Sequence, residues 1–392
     1  MPLGIYISIP FCRSKCTYCN FASGVFAASH MDRYVERLCG DIASCRQTAA
    51  KHGADVPGPV DSIYLGGGTP SLLLPEQLTK LFSRIAAEFT IAPDSEITVE
   101  CAPGTLTQAM LESLVACGVN RVSLGVQSFV DKEAASVARL HTAEKVLADI
   151  ANLRSHGITN INVDLIAGLP HQTSDSWRHS LEKAVSAGVP HVSVYMLEVD
   201  QDSRLGRELI AGGTKYHAHF VPDDDLTAEF YELACSYLNA NGLQQYEISN
   251  FASAGFESRH NLKYWTRQPY IGFGVDAHSM LPARQKGIES VRLSTTDSLD
   301  GFMAASHLES LPVDTQQALE ESFFLGLRLN RGVDLNELAH KFGDAVETYL
   351  PIIEELAAEG LLFKDENCIR LTPRGRLLSN EVFEKFIEQV LS

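Results

Sequence analysis

Apolar residues in the first half of the chain follow two rhythms. Short apolar runs mark strands: Gly4–Pro10 reads as a buried strand, followed by Ser62–Leu65, Glu96–Glu100, Arg121–Gly125, Asn160–Leu165 and His191–Leu197. Between them, apolar positions recur with the period of one helix face. Met31–His52 places Tyr34, Leu38 and Ile42 on such a face, and Pro75–Phe89 carries Leu78, Leu81, Phe82, Ile85 and Phe89. A further helix carries Val146, Ile150 and Leu153. Strands alternating with helices at roughly 30-residue spacing must pair in parallel, because each crossover returns the chain to the same edge. Six such strands predict an α/β fold, either an open sheet or part of a barrel.

After about Asp200 the rhythm changes. A polar, Gly-bearing stretch (Gly212–Asp225) leads to a helix near Leu226–Asn241, then to a Tyr-, Trp- and Gly-rich segment, Tyr246–Met280, too irregular for another βα unit. From about Asp314 the pattern is three helices and a β-ribbon. Leu335–Phe342 and Tyr349–Glu359 are short helices, Leu361–Leu371 is a hairpin turning at Asp365–Asn367, and Thr372–Leu391 closes as a helix. That order suits a small winged-helix-like α+β module. The expected division is therefore 1–200, 201–313 and 314–392.

Composition narrows the function. In 392 residues, 32 Lys and Arg face 49 Asp and Glu, a net charge of −17, so the overall field repels polyanions and nucleic-acid binding is not expected. No apolar stretch reaches the ~18 residues of a membrane-spanning helix. The N-terminal MPLGIYISIPF lacks the basic flank and cleavage site of a signal peptide. A soluble cytoplasmic protein is expected. Nine cysteines, at 12, 16, 19, 39, 45, 101, 117, 235 and 368, make a disulfide framework a poor explanation in such a chain. The last six read as small buried apolar residues.

Cys12, Cys16 and Cys19 form C-x3-C-x2-C directly after the first strand. Thiolates prefer soft metals, and gaps this short bring all three sulfurs to one centre. A structural zinc site needs a fourth ligand, yet the next cysteine is Cys39 and the next histidine His30. Three ligands without a fourth fit a 4Fe–4S cluster with one iron open; a zinc knuckle is the alternative. Leu65-Gly66-Gly67-Gly68-Thr69-Pro70 follows the second strand, and its glycines allow close backbone approach to a ligand, with free N–H groups for a carboxylate or carbonyls for an amine. It is no phosphate loop, since it lacks G-K-S/T.

With Tyr18 before its third cysteine, the triad resembles the signature of the radical S-adenosylmethionine (SAM) superfamily, and GGGTP resembles that superfamily's methionine-amine loop. The resemblance implies a (β/α)6 partial TIM-type barrel, a cluster in the loop after the first strand, and SAM chelating the open iron. Nearly the whole chain is similar to the oxygen-independent coproporphyrinogen III oxidase family, through Tyr6–Phe21, Tyr64–Leu72, Thr98–Thr105, Leu124–Phe129, Asp164–Thr173 and Tyr246–Phe251. Carried over by position, SAM contacts come from Tyr6, Gly67, Gly68, Thr69, Glu100, Gln127, Arg139 and Asp164. Asp164 can accept from ribose hydroxyls and Arg139 can pair with a carboxylate.

Two departures resemble the HemW-type haem chaperones of that family instead. Phe21 stands where the decarboxylating oxidase has a further cysteine, and only 11 residues precede Cys12. His260-Asn261-Leu262-Lys263-Tyr264-Trp265 fits that group's H-N-x-x-Y-W motif, and Leu371–Phe383 resembles its ending. The resemblance implies haem as cargo, with His260 as an iron ligand. Tyr264 and Trp265 would supply flat apolar faces, and Arg259 and Lys263 partners for propionates. His278, in GFGVDAHSM, is a second candidate ligand. The expected function is a haem chaperone delivering haem to an acceptor protein at the membrane, with cluster and SAM regulating transfer or homodimerisation. The alternatives are a radical enzyme that cleaves SAM reductively and decarboxylates a porphyrinogen propionate, and a zinc-bearing winged-helix regulator. Charge disfavours the last, because Val333–Arg376 has no clustered basic face.

Overall fold

The structure is a computed structural model and describes residues 1–201, 203–304 and 308–387. Six strands run in parallel and in sequence order: β1 (Leu3–Ile9), β2 (Val60–Gly67), β3 (Ile91–Cys101), β4 (Arg121–Gln127), β5 (Asn160–Ala167) and β6 (His191–Met196). Each coincides with a strand expected from the apolar runs. Their register lines up alternate residues across the sheet: Tyr6 with Tyr64, Tyr64 with Thr98, Glu100 with Ser123, Gly125 with Asp164, and Asp164 with Ser193. Because successive side chains point to opposite faces, this polar row lines the inside of a partial barrel. Ile5, Ile7, Ile63, Leu65, Val99, Leu124, Val163 and Val194 point outward and are all but inaccessible. The crossover helices cover them: Ala28–Lys51 buries Tyr34, Leu38 and Ile42, Pro75–Glu88 buries Leu78, Leu81 and Ile85, and Ala143–Ser155 buries Val146, Ile150 and Leu153.

The irregular segment after 245 enlarges this sheet instead of leaving it. β7 (Gln244–Gln245) and β8 (Asn250–Ala252) pair antiparallel, and β8 continues beside β6. On the other edge β9 (Tyr270–Phe273) lies parallel to β1, then β10 (His278–Pro282), β11 (Ile288–Thr295) and β12 (Leu308–Asp314) follow antiparallel. The result is one sheet of twelve strands. A short helix, Arg259–Trp265, sits at the N-terminal ends of β1–β3. Ser258 caps it, and the Glu96 carboxylate accepts from the backbone N–H groups of Arg259 and His260, each at 3.1 Å.

The last part of the chain has its own apolar cluster, where Phe323, Tyr349 and Phe386 stack around Ile353, Leu356 and Ile369. Helices Thr315–Gly326, Leu335–Phe342 and Leu350–Ala358 precede the ribbon β14 (Leu362–Asp365) and β15 (Cys368–Leu371), with β13 (Val333–Asp334) as its third strand. The closing helix differs from expectation. It is two short helices, Pro373–Leu377 and Ser379–Lys385, because Leu378 leaves helical geometry at ψ 29°; residues 388–391 of that reading lie outside the described residues.

Candidate functional site

The cysteine triad lies beyond the C-terminal end of β1, the end where parallel barrels place their chemistry. Its loop is closed by Cys12 N–H donating to Gly24 O (2.8 Å) and Gly24 N–H to Pro10 O (2.9 Å). Thr17 N–H donates to Val137 O at 3.4 Å, and Leu205 N–H to Thr17 O at 2.9 Å. Leu205 belongs to the helix Arg204–Ala211, which is not among the helices expected from the sequence. All nine cysteines are free thiols. Cys39, Cys45 and Cys101 are buried as expected, but Cys117, Cys235 and Cys368 are only half-buried.

Each thiol of the triad has a polar neighbour: Thr69 Oγ1 at 3.7 Å from Cys12 Sγ, Arg139 Nη1 at 3.6 Å from Cys16 Sγ, and Ser23 Oγ at 3.7 Å from Cys19 Sγ. Burial raises the Cys12 thiol above its ordinary value, hydrogen bonding from Thr69 and Ser23 draws it back, and the neighbouring Cys19 and Cys16 raise it again. The three sulfurs are thus within electrostatic reach of one another. Among the described residues, no three His, Cys, Asp or Glu side chains stand close enough to hold a single metal ion. A 4Fe–4S cube would offer each of these three thiols its own iron.

The glycine turn is fastened to the cysteine loop. Gly68 N–H donates to Ile9 O and Thr69 N–H to Phe11 O, both at 2.8 Å. This corrects the expectation of free N–H groups for a ligand carboxylate at 68 and 69: both hold the turn in place, so the carbonyls are the groups left for an amine. Glycine is required at 68 because a Cβ would stand 2.7 Å from Ile9 O and 2.9 Å from Phe11 O.

Glu100, Gln127, Arg139 and Asp164 come together inside the barrel mouth. Burial raises the Glu100 carboxyl to about 7; hydrogen bonding from Tyr64 OH (2.8 Å) opposes that, and Asp164 adds to it. Burial likewise raises Asp164, opposed by hydrogen bonds from Asn162 Nδ2 at 2.7 Å and Ser123 Oγ at 3.1 Å. Arg139 reaches over Gly125, donates to its carbonyl and carries its charge toward Asp164. A Cβ at Gly125 would meet that guanidinium. Among the described residues, the buried Gln127 Oε1 and Arg139 Nε have no hydrogen-bond partner. Gln127 also holds a φ of 69°, unfavourable for a side chain of its kind. Unpaired buried groups are rare in native structures and point to a bound polar molecule. The residues therefore fit a small zwitterion carrying amine, carboxylate and hydroxyl groups. Tyr6, half-buried on β1, lines with Gly67 a cavity that none of these four side chains borders.

The polar row extends past the residues expected from sequence. Asn162, Ser193, His191 and Tyr246 continue it: His191 Nδ1 lies 2.6 Å from Asn162 Oδ1, and its Nε2 2.9 Å from Tyr246 OH. Tyr195 faces Asp164 and Glu100 from β6. The missed signal was the polar–apolar alternation in IYISI, NINVDL and HVSVYM.

The H-N-x-x-Y-W helix departs from the reading of it as an open haem face. His260 is 1% exposed and both ring nitrogens are engaged, Nδ1 with Ser62 Oγ and Nε2 with Tyr264 OH, each at 2.9 Å. Burial, then the Lys263 charge, lowers the imidazole to about 3. Lys263 is itself buried and paired with Asp61 at 2.6 Å, and Arg259 pairs with Asp94. Trp265 lies beneath the Arg328 guanidinium, 4.2 Å from ring centre. Neither nitrogen of His260 is open to iron, since helix and strands have closed around the ring. Of the motif, Tyr264 lines a cavity of about 260 Å³, shared with Tyr6, Gly67, Phe21, Tyr270, Asp276 and His278.

Among known proteins, the Radical SAM superfamily model matches residues 6–184 and the HemN C-terminal domain model residues 313–378. Proteins named "Heme chaperone HemW" align along their full length: that of Bacillus subtilis is 36% identical over 390 residues, covering 98% of this chain and 99% of the relative. That of Escherichia coli is 31% identical over 390 residues, covering 99% of each. The solved structure of coproporphyrinogen III oxidase (HemN) from Escherichia coli superposes with a TM-score of 0.83 at 24% identity, covering 98% of this chain and 90% of that one, a likeness of fold. Full-length identity at this level, on a barrel with its cysteines at the mouth, means that the chain belongs to the HemW family within the radical SAM superfamily.

Proposed function

We propose that this chain is a haem chaperone built on a radical SAM scaffold, receiving haem and passing it to an acceptor protein. The observation that carries the reading is the 36% identity, end to end, with a relative named a haem chaperone. Phe21 supports it: the apolar side chain is 61% exposed beside the triad, where the related oxidase places a cysteine.

Membership of the superfamily implies a 4Fe–4S cluster and SAM. Cys12, Cys16 and Cys19 would hold the cluster, which when bound supplies an electron to SAM. The carbonyls of Gly67 and Gly68 would take the SAM amine, with Thr69 steadying Cys12. Arg139 would pair the carboxylate, Asp164 would accept from ribose hydroxyls, and Tyr6, Glu100 and Gln127 would complete the wall. We place the functional parts at 1–200, 201–313 and 314–392, with the protein in the cytoplasm. Among the described residues no helix is long and apolar enough to cross a membrane. A membrane-bound haem protein as acceptor, and a homodimeric state set by cluster and SAM, complete the proposal.

The intact polar barrel mouth favours a second reading, a radical decarboxylase. Reduced, cluster-loaded protein incubated with SAM and coproporphyrinogen separates the two. A chaperone yields no protoporphyrinogen, yet moves haem to an apo acceptor; multiple turnovers without haem transfer would replace the chaperone by the enzyme.

A further inference from the structure

Resting on the haem-carrier reading, we propose that His278, not His260, supplies the protein's ligand to haem iron, in the aromatic cavity between the turn before β10 and the cysteine loop. Haem iron needs an imidazole nitrogen with a free lone pair and room for a flat macrocycle. His260 offers neither. The His278 side chain is 62% exposed, and among the described residues its ring makes no hydrogen bond; the nearest partner is Asp276 Oδ1, 3.6 Å from Nε2. A carboxylate behind one ring nitrogen is the usual support for a metal-ligating histidine, because it orients the ring and raises the basicity of the other nitrogen.

The turn is built to hold this pair outward. Val275 N–H donates to Tyr34 OH, Asp276 N–H to Thr296 O and Ala277 N–H to Thr295 Oγ1, all at 2.9 Å. Val275 and Ala277 are buried, so the alternation turns Asp276 and His278 together toward the cavity. Asp276 adopts a φ of 54°, which aspartate tolerates better than most side chains. Opposite stand Tyr264, Tyr270 and the exposed Phe21, flat surfaces suited to a tetrapyrrole edge. Phe21 adds an exposed phenyl ring to the rim of this cavity. In this assignment the motif acts at one remove: His260 holds the Tyr264 hydroxyl, and Tyr264 forms part of the haem wall.

The full-length protein is titrated with ferric haem and followed by its Soret band and electron paramagnetic resonance. We expect His278→Ala to weaken binding at least about tenfold, or about 1.4 kcal/mol, and to lose the imidazole-type spectrum. Added imidazole should restore that spectrum, and His278→Cys should shift it to the thiolate type. The side chain is exposed, so unchanged thermal unfolding and iron content verify that the variants are folded. His278→Ala with wild-type affinity and spectrum, while the wild type binds haem, overturns the assignment and leaves the carrier reading standing. Failure of the wild type to bind haem overturns the carrier reading, and this assignment with it.

Discussion

Replacing Gly68 with alanine tests how the glycine turn and the cysteine loop are joined. The new Cβ would stand 2.7 Å from Ile9 O, 2.9 Å from Phe11 O and 2.9 Å from the Pro10 carbonyl carbon, all backbone atoms that cannot rotate aside. The two segments must separate, breaking the 2.8 Å bonds from Gly68 N–H and Thr69 N–H. Each such bond is worth about 1 kcal/mol net. Residual overpacking costs about 1–3 kcal/mol more. The total is about 3–5 kcal/mol, concentrated where Thr69 faces Cys12. Urea unfolding of the metal-free chain should show that loss, and anaerobic reconstitution should leave the variant with less than half the wild-type iron. Gly40→Ala is the control: nothing lies within 4 Å of its added Cβ, and mid-helix alanine should stabilise by roughly 0.5–1 kcal/mol. A Gly68→Ala protein with wild-type stability and full iron content would refute the coupling of the two loops.

His260→Ala orphans Ser62 Oγ and Tyr264 OH in a buried place. It should cost about 2–4 kcal/mol in urea unfolding, and a loss below about 0.5 kcal/mol would deny the helix its role as a plug. Burial holds Glu100 protonated up to about 7, so its contribution to stability is full below the unfolded value of 4.5 and is lost as pH rises through 7. Without SAM, Glu100→Gln should therefore lose less stability than wild type between pH 5 and 8, and parallel profiles would show that the carboxyl ionises freely. The same linkage has the opposite sign for His260, neutral down to about 3, whose contribution is lost as pH falls from 6.5 toward 3. Arg139→Met should keep its iron but bind SAM at least about tenfold more weakly in equilibrium dialysis, the loss expected for a charge-assisted pair; unchanged SAM affinity would remove the guanidinium from the site.

The parts legible in the sequence were those with strong local periodicity. β1 to β6 and the helices over 28–51, 75–88 and 143–155 carry apolar patterns that suffice without tertiary context. β7 to β10 escaped because they are two to five residues long and are fixed by their neighbours, β9 by pairing beside β1 and β10 by β11. The triad was legible because its spacing is covalent, whereas the partners of Glu100 and Asp164 come from other strands. His260 shows the limit most plainly. Ser62 and Glu96 lie 198 and 164 residues away, and only the fold reveals that they bury the ring. The exposed His278 had the weaker motif and the more open chemistry.

All of these functions presuppose three thiols holding a cluster with one iron open to SAM. Electron paramagnetic resonance of the anaerobically reconstituted, reduced chain, recorded before and after adding SAM, tests that arrangement directly. The thiol arrangement predicts about four irons with matching sulfide per chain and a reduced-cluster signal that SAM displaces. Replacing any one of Cys12, Cys16 and Cys19 should abolish that signal. One tightly held zinc per chain without sulfide, or a cluster signal indifferent to SAM, would contradict it.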